Sequence, residues 1–327
     1  MGPHPAVAEI RRVVRKVLRT RSQPRAAVYV ACSGGADSLA LAAATAFEAR
    51  RVDVPYGLVS IDHGLHDRSA AQAARVASLG FELGFDPVQV LPVVVGRQGG
   101  PEAAARSARY DALRTLDTDV LLGHTLDDQA ETVLLGLGRG SGPRSIAGMS
   151  EIDGRWLRPL LGVRRATTRA ACAALGLVPW EDPANDDDRY QRVRLRHEVL
   201  PLLEDVLQGG VAEALARTAS LVQADLTALD ELAAAHTPLG AGLEVKLVAE
   251  LPEALLIRVL RAWVSGAGGP ALTSERTRAL AALVTDWRGQ DRIELTGGYA
   301  VRRRSGTLEI EAEPVEGNSD RRRRAEE

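Results

Sequence analysis

The segment Ser33-Gly34-Gly35-Ala36-Asp37-Ser38 has the residue types of an anion site. Adjacent glycines lack Cβ atoms, so backbone there can approach a phosphate closely. A helix starting behind them would aim its first, unpaired N–H groups at the same anion. No lysine follows, so this is not the GxxxxGK[ST] loop. Asp37 would repel a phosphate unless a divalent cation lay between them, which implies magnesium held by carboxylate and phosphate oxygens. An ordinary strand-to-helix turn with an Asp-Ser cap is the competing reading, and the loop alone does not decide.

Further along, Glu102, Arg106 and Arg109 stand at helical i,i+4 and i,i+3 spacing, with Tyr110 beside them. They form either a cationic face or a solvated helix with one salt bridge. Asp127, Asp128 and Glu131 lie three and four apart, so each pairing puts two carboxylates on roughly one helix face. Such a cluster could hold magnesium or a cationic substrate. The competing explanation is a cap: acidic residues in a first turn complement the helix dipole, and Thr125 with Asp128 resembles a capping pair. It accounts for Asp127 and Asp128 better than for Glu131. The polar stretch from Trp180 to Tyr190 must be a loop, with Arg192, Arg194 and Arg196 at alternate positions behind it.

The pattern around these residues says which elements must place them. Ala27–Cys32 is a short apolar run before the glycines, and Ser38–Ala49 is an Ala-rich helix fit for close packing. Strands are expected at 56–61, 87–95 and 120–123, with helices at 69–83, 102–116 and 126–137 between and after them. Strands alternating with helices predict an α/β fold, a doubly wound, mostly parallel sheet covered on both faces. Ligands bind such sheets beyond the C-terminal strand ends. The glycine loop, Asp62-His63 and His124 all fall there.

Val7–Arg19 reads as an amphipathic helix whose arginine face is solvated rather than nucleic-acid-bound. Past 205 the vocabulary changes. A long helix to about Ala235 leads into a strand at 243–248, helices at 252–264 and 274–286, and short antiparallel strands at 292–295, 299–304 and 307–311. This is a second, smaller α+β domain, in which alternation puts Arg302 and Arg304 on one face as candidate phosphate contacts. The divisions expected are 1–205, 206–313 and a charged, disordered tail at 314–327.

Length and composition bound the rest. A chain of 327 residues, 45% hydrophobic and 26% charged, suits two globular domains. No apolar run approaches a membrane span and no signal peptide is apparent, so a cytoplasmic, membrane-free protein is expected. Two cysteines, Cys32 and Cys172, are too few for a disulfide framework or a CxxC site. Net charge is −2, which does not announce a nucleic-acid binder. Nearly all the positive charge is arginine, suited to gripping phosphate or, equally, a mark of genome composition.

Taken together, SGGADS (33–38), DHGL (62–65), EAAARSARY (102–110), GHTLDDQAET (123–132), RGSG (139–142), RPLL (158–161) and WEDPANDDDRYQRVRLR (180–196) resemble the tRNA(Ile)-lysidine synthetases. These are members of the PP-loop ATP pyrophosphatase superfamily, with an adenine nucleotide alpha hydrolase-like fold. SGGxDS alone names only the superfamily; the tract from Gly123 to Ser150 with WEDPAN points to the lysidine enzymes. Thr125 stands where the family often has a second histidine.

The resemblance implies a two-step reaction on cytidine 34 of the isoleucine tRNA with anticodon CAU. ATP would adenylate the C2 oxygen and release pyrophosphate. The ε-amine of free L-lysine would then displace AMP, giving lysidine and changing codon and amino-acid specificity. Ser33, Gly34, Gly35, Ala36, Asp37 and Ser38 would bind ATP, with Asp37 holding Mg2+. Arg106 or Arg109 would supply countercharge and His63 is a candidate base. Asp128 and Glu131, with Asp127 behind them, would receive lysine. His124, Arg194 and Arg196 complete the expected site, and a homodimer is left open. A PP-loop tRNA 2-thiolase is the rival enzyme. A non-catalytic nucleotide-binding regulator on the same fold is the rival from another class.

Overall fold

A computed structural model describes residues 2–64, 69–96, 100–140, 142–182, 187–290 and 292–312. The expected charged tail, Leu65 of the DHGL block, Ser141 and the Pro183–Asp186 part of the WEDPAN segment lie outside the described residues, as does the side chain of Glu102.

The first part alternates strand and helix: α1 (Pro5–Thr20), β1 (Val28–Ala31), α2 (Ala36–Arg51), β2 (Tyr56–Asp62), α3 (Ser69–Glu82), β3 (Val88–Pro92), α4 (Pro101–Arg114), β4 (Asp119–Leu121), α5 (Leu126–Arg139) and α6 (Pro143–Ile146). The two-residue strands β5 (Ile152–Asp153) and β6 (Trp156–Leu157) precede α7 (Arg165–Ala174) and α8 (Gln191–Arg194). A π-helical turn (Leu195–Val199), α9 (Leu200–Val206) and α10 (Val211–Ala234) follow.

The sheet order is β3-β2-β1-β4-β6-β5, parallel throughout except for the β5–β6 edge hairpin. The chain therefore builds outward from β1 to β3, then returns to the other side of β1 to place β4. That reversal makes the C-terminal ends of β1 and β4 a crevice, the standard ligand position in open α/β sheets. The core explains why these segments form these elements. Val28, Val30, Leu58 and Leu121 are fully or nearly fully buried on the strands, under Leu39, Leu41 and Ala42 of α2. Helix α2 is rich in alanine because it packs closely on the sheet, on α1 and on α7.

Helix α1 buries Val7, Ile10, Val14, Val17 and Leu18. Two of its arginines are used within the fold. The Arg15 fork grips the fully buried Glu48 at 2.6 and 2.8 Å, and the Arg11 guanidinium lies 3.5 Å from the Phe47 ring centre.

The chain divides into compact units of residues 1–223 and 224–327, with the division inside α10. In the second unit, β7 (Gly242–Glu244), β8 (Arg292–Glu294), β9 (Tyr299–Arg304) and β10 (Thr307–Ala312) form an antiparallel sheet in the order β7-β10-β9-β8. Helices α11 (Glu253–Gly266) and α12 (Ser274–Thr285) complete it around the fully buried Trp263. The strand expected at 243–248 stops at Glu244 and becomes a 3-10 turn over Val245–Leu247. A strand would put 243, 245 and 247 on one face, but the buried residues are Leu243, Val245 and Val248, while Leu247 is exposed. The spacing is two up to Val245 and three from there to Val248, across the 3-10 turn. Arg304 lies 3.9 Å from Glu309 and 3.6 Å from Glu311. Arg303, between the two arginines singled out by alternation, donates to the Leu283 carbonyl at the end of α12.

Candidate active site

The residues after β1 form a braced loop. Gly34 has φ +88°, a conformation open to glycine, and a Cβ there would sit 2.2 Å from Gln72 Nε2. The Ser38 hydroxyl is buried and accepts from the Ser33 N–H at 3.2 Å while donating to the Gly35 carbonyl at 2.9 Å. The Trp180 N–H donates to the Gly34 carbonyl at 2.9 Å, so the acidic segment is anchored on the loop from its tryptophan end. Helix α2 begins at Ala36, which leaves the N–H groups of its first turn, Ala36 to Ser38, without helical partners.

Strand β4 ends against this loop. A Cβ on Gly123 would lie 3.2 Å from the Asp37 carbonyl carbon and the Ser38 nitrogen. Glycine at 123 thus lets the β4 end, with His124 and α5 behind it, approach the start of α2. Helix α5 is capped by Thr125 and Asp128: the Thr125 N–H donates to Asp128 Oδ2 at 2.8 Å, and the Thr125 hydroxyl also faces it at 2.9 Å. Thr125 is fully buried in that role.

These ends enclose a cavity of about 730 Å³. Ser33, Gly35, Ala36, Asp37, Ser38, His63, Arg109, His124, Asp128 and Arg196 of the expected site line it. Gly34, Arg106, Asp127, Glu131 and Arg194 are not among its lining residues. Arg106 is exposed, with its guanidinium 4.9 Å from the Tyr110 ring centre. Asp127 accepts from the backbone N–H of Arg165 at 2.7 Å and so caps α7. Arg194 pairs with Glu198 at 2.9 Å on an exposed surface. Glu131 is fully buried behind the cavity, gripped by Arg196 at 2.8 and 3.2 Å.

Helix α7 supplies residues that the sequence pattern does not single out. Arg165 lies 3.3 Å from Asp37, 2.5 Å from Asp128 and 3.7 Å from Glu131. The Thr168 hydroxyl hydrogen-bonds the other oxygen of Asp37. Cys172 and Arg169 of the same helix also line the cavity. One signal for them exists in the sequence: several carboxylates expected in one site demand cations, and RPLL is followed closely by Arg164 and Arg165.

The electrostatics follow from burial and these pairings. Burial pushes the Asp37 carboxyl up, against the pull of Thr168 and Arg165. Burial likewise raises Glu131, partly offset by Arg196. For Asp128 burial acts upward too, but Arg165 and the Thr125 donors outweigh it and the carboxyl sits below its usual range. Burial pushes Arg109 down, with Arg106 and Arg192 adding like charge, and the guanidinium keeps its proton. His63 is lowered by burial and then by Arg109. Burial, with Arg109 and Arg158 nearby, takes His124 down to about 3, against the opposite pull of Asp128. Both imidazoles are neutral at neutral pH, and each keeps a buried Nδ1 without a hydrogen-bond partner among the described residues.

A pH signature of folding comes from His124. In the unfolded chain it titrates near 6.5, in the folded protein at about 3, so acid protonates the unfolded state first. Stability contributed by the neutral imidazole is complete above pH 6.5 and is lost as pH falls towards about 3. Thermal melts across that window are expected to show a smaller fall in Tm for His124→Gln than for the parent. An equal fall in both would remove His124 from this role.

No group of three or more His, Cys, Asp or Glu residues able to hold a metal occurs among the described residues. Asp37 is the acidic residue in the first turn of α2, beside the glycine loop. One carboxylate fits a magnesium ion shared with phosphate oxygens and does not fit a metal held by protein alone.

Comparisons with known proteins bear on the same residues. A family model described as a PP-loop domain matches residues 7–203, and one described as the TilS substrate binding domain matches 243–309. A tRNA(Ile)-lysidine synthase of Thermobifida fusca is 51% identical over 323 residues, covering 95% of this chain and 99% of the relative. That of Rhodococcus erythropolis is 51% identical, covering 98% of each chain. That of Mycobacterium tuberculosis is 48% identical, covering 96% of this chain and 100% of the relative. Among solved structures, a U34-tRNA thiolase, NcsA from Methanococcus maripaludis with its [4Fe-4S] cluster, superposes with TM-score 0.54 over 67% of this chain and 80% of its own. At 17% identity that likeness concerns the fold.

Proposed function

The chain belongs to the tRNA(Ile)-lysidine synthase family, and from that premise we propose how its cavity divides the reaction. It is an ATP-dependent ligase that forms lysidine on tRNA(Ile). The finer reading is that cytidine 34 of a CAU anticodon, splayed from its loop, enters the cavity beside ATP. Its C2 oxygen attacks the α-phosphorus, forming the adenylated base and releasing pyrophosphate. The N–H groups of Ala36 to Ser38 receive the phosphates, and Arg109, half-buried, cationic and lining the same space, offsets their charge. Asp37 would hold Mg2+ together with phosphate oxygens, where the ion would neutralise charge developing on them.

Free L-lysine then attacks C2 and AMP leaves. Its ammonium is received by Asp128, the carboxylate of the α5 cluster that reaches the cavity. Glu131 acts from behind by fixing Arg196, and Asp127 by fixing the start of α7. The amine must lose a proton before attack. His63, neutral and lining the cavity, has a free lone pair to take it.

The observation that carries this reading is that Asp37 and Asp128, from two different helices, open on one cavity and are joined by the single guanidinium of Arg165. Sulfur transfer through a persulfide or cluster would need cysteines. The sequence has two, Cys32 and Cys172, both buried, with burial raising each thiol. The deciding assay combines the purified protein, a CAU-anticodon isoleucine tRNA transcript, ATP, magnesium and labelled lysine. ATP-dependent incorporation, absent with a C34→U transcript, is expected. Lysine label that stays in solution while a labelled sulfur donor reacts would replace this reading with the thiolase one.

A further inference from the structure

Both oxygens of Asp37 are occupied by residues of α7. The Thr168 hydroxyl hydrogen-bonds Oδ1, and Arg165 Nε faces Oδ2 at 3.3 Å. Neither partner depends on Asp37 alone. A threonine hydroxyl has one proton, and Thr168 Oγ1 also lies 2.7 Å from the Arg165 carbonyl oxygen. That proton therefore has two acceptors and can serve one at a time. The Arg165 guanidinium spreads its three nitrogens over three carboxylates, and its contact with Asp37 is longer than the 2.5 Å contact with Asp128. Helix α7 itself is pinned separately, through Asp127 on the Arg165 N–H. Each partner of Asp37 can thus release it while keeping a second partner, with the helix staying in place.

We propose that Arg165 and Thr168 form a latch on Asp37 that nucleotide-bound magnesium must open. This rests on reading Asp37 as the carboxylate that holds the metal. The latch closes Asp37 when the cavity lacks nucleotide. On opening, the Thr168 proton turns to the Arg165 carbonyl, and Arg165 stays on Asp128 and Glu131 with its Nε–H released towards the cavity. A cation and a guanidinium cannot both hold Oδ2 in the same direction, so the exchange is competitive. Arg165 is in this account a positioning residue. Because it touches Asp37 with one edge and Asp128 with another, occupancy of the nucleotide half changes the electrostatic surroundings of the lysine half. Nothing along the sequence brings these groups together: Arg165 is 128 residues from Asp37 and 37 from Asp128.

The test is the magnesium dependence of binding of a non-hydrolysable ATP analogue to the full chain, without tRNA or lysine. Thr168→Val keeps the side-chain shape and removes the hydroxyl. Arg165→Lys keeps the charge and loses the fork that spans two helices. With the latch weakened, each variant is expected to reach half-saturation at lower magnesium, by roughly fivefold, the equilibrium factor of one net hydrogen bond. A purely structural role would weaken analogue binding at every magnesium concentration without lowering the midpoint. Asp37→Asn separates the two levels of the argument. If it keeps the parent's magnesium dependence, Asp37 is not the metal carboxylate and the underlying reading fails. If it loses that dependence while Thr168→Val and Arg165→Lys both keep the parent midpoint or raise it, the latch is overturned and the reading stands. Should Arg165→Lys fail to fold by circular dichroism, Thr168→Val decides alone.

Discussion

Asp37→Ala is expected to abolish pyrophosphate release from ATP and tRNA while leaving the fold intact. The substitution removes the carboxylate in the first turn of α2, beside the braced Ser33–Gly35 loop. In phosphoryl chemistry the protein acts mainly by position and charge neutralisation. Losing one such contribution lowers rate by about 10²–10³-fold, and loss of the metal with it deepens the effect. The fold should survive because burial already disfavours the Asp37 charge, and its partners Arg165 and Thr168 retain other acceptors. Pyrophosphate release at the parental rate in a protein with unchanged circular dichroism would remove Asp37 from the metal role.

Asp128→Asn is expected to separate the two chemical steps. Adenylation should proceed near the parental rate, since the Ser33–Ser38 loop keeps its own hydrogen bonds and Arg165 keeps Asp37 and Glu131 as partners. Use of lysine should suffer, with KM for lysine rising roughly 10- to 100-fold, the range of a charge-assisted hydrogen bond to an ammonium. Asparagine keeps a carbonyl oxygen to accept from the Thr125 N–H, so the α5 cap persists and helix loss is not the cause. Separate measurements of pyrophosphate release and of lysine incorporation distinguish the steps. Equal damage to both would show that Asp128 serves the whole site and would undo its assignment to lysine.

Much of this site is legible in the residues alone. A glycine pair needs no tertiary information to mark backbone that lies close to something, and alternation of strand and helix patterns is enough to place SGGADS, His63 and His124 at one end of a parallel sheet. Single side chains are where that legibility ends. Asp127, Asp128 and Glu131 share spacing and charge, yet they have three different tasks: capping α7, facing the cavity and anchoring Arg196. Periodicity reports which residues share a helix face, not how deep each one goes. Arg106 and Arg109 are equivalent by sequence, but Arg109 lines the cavity and Arg106 lies outside, against Tyr110. Residues three apart share a helix face, but the second lies about 4.5 Å further along the axis, and the cavity takes in only Arg109.

The fold class, the family and the candidate phosphate loop can be read from the chain alone, because those depend on local backbone freedom, periodicity and contiguous motifs. Which charges neutralise one another is set only by how the chain folds in space. Thr125 shows the difference: it stands where the family often has a histidine, and it completes a cap with Asp128. Arg165 shows it more strongly. Its guanidinium joins Asp37 of α2 to Asp128 and Glu131 of α5, across a sheet reversal that brings β4 back beside β1. Coulomb interaction and burial depend on distance in space, and only the folded chain sets that distance.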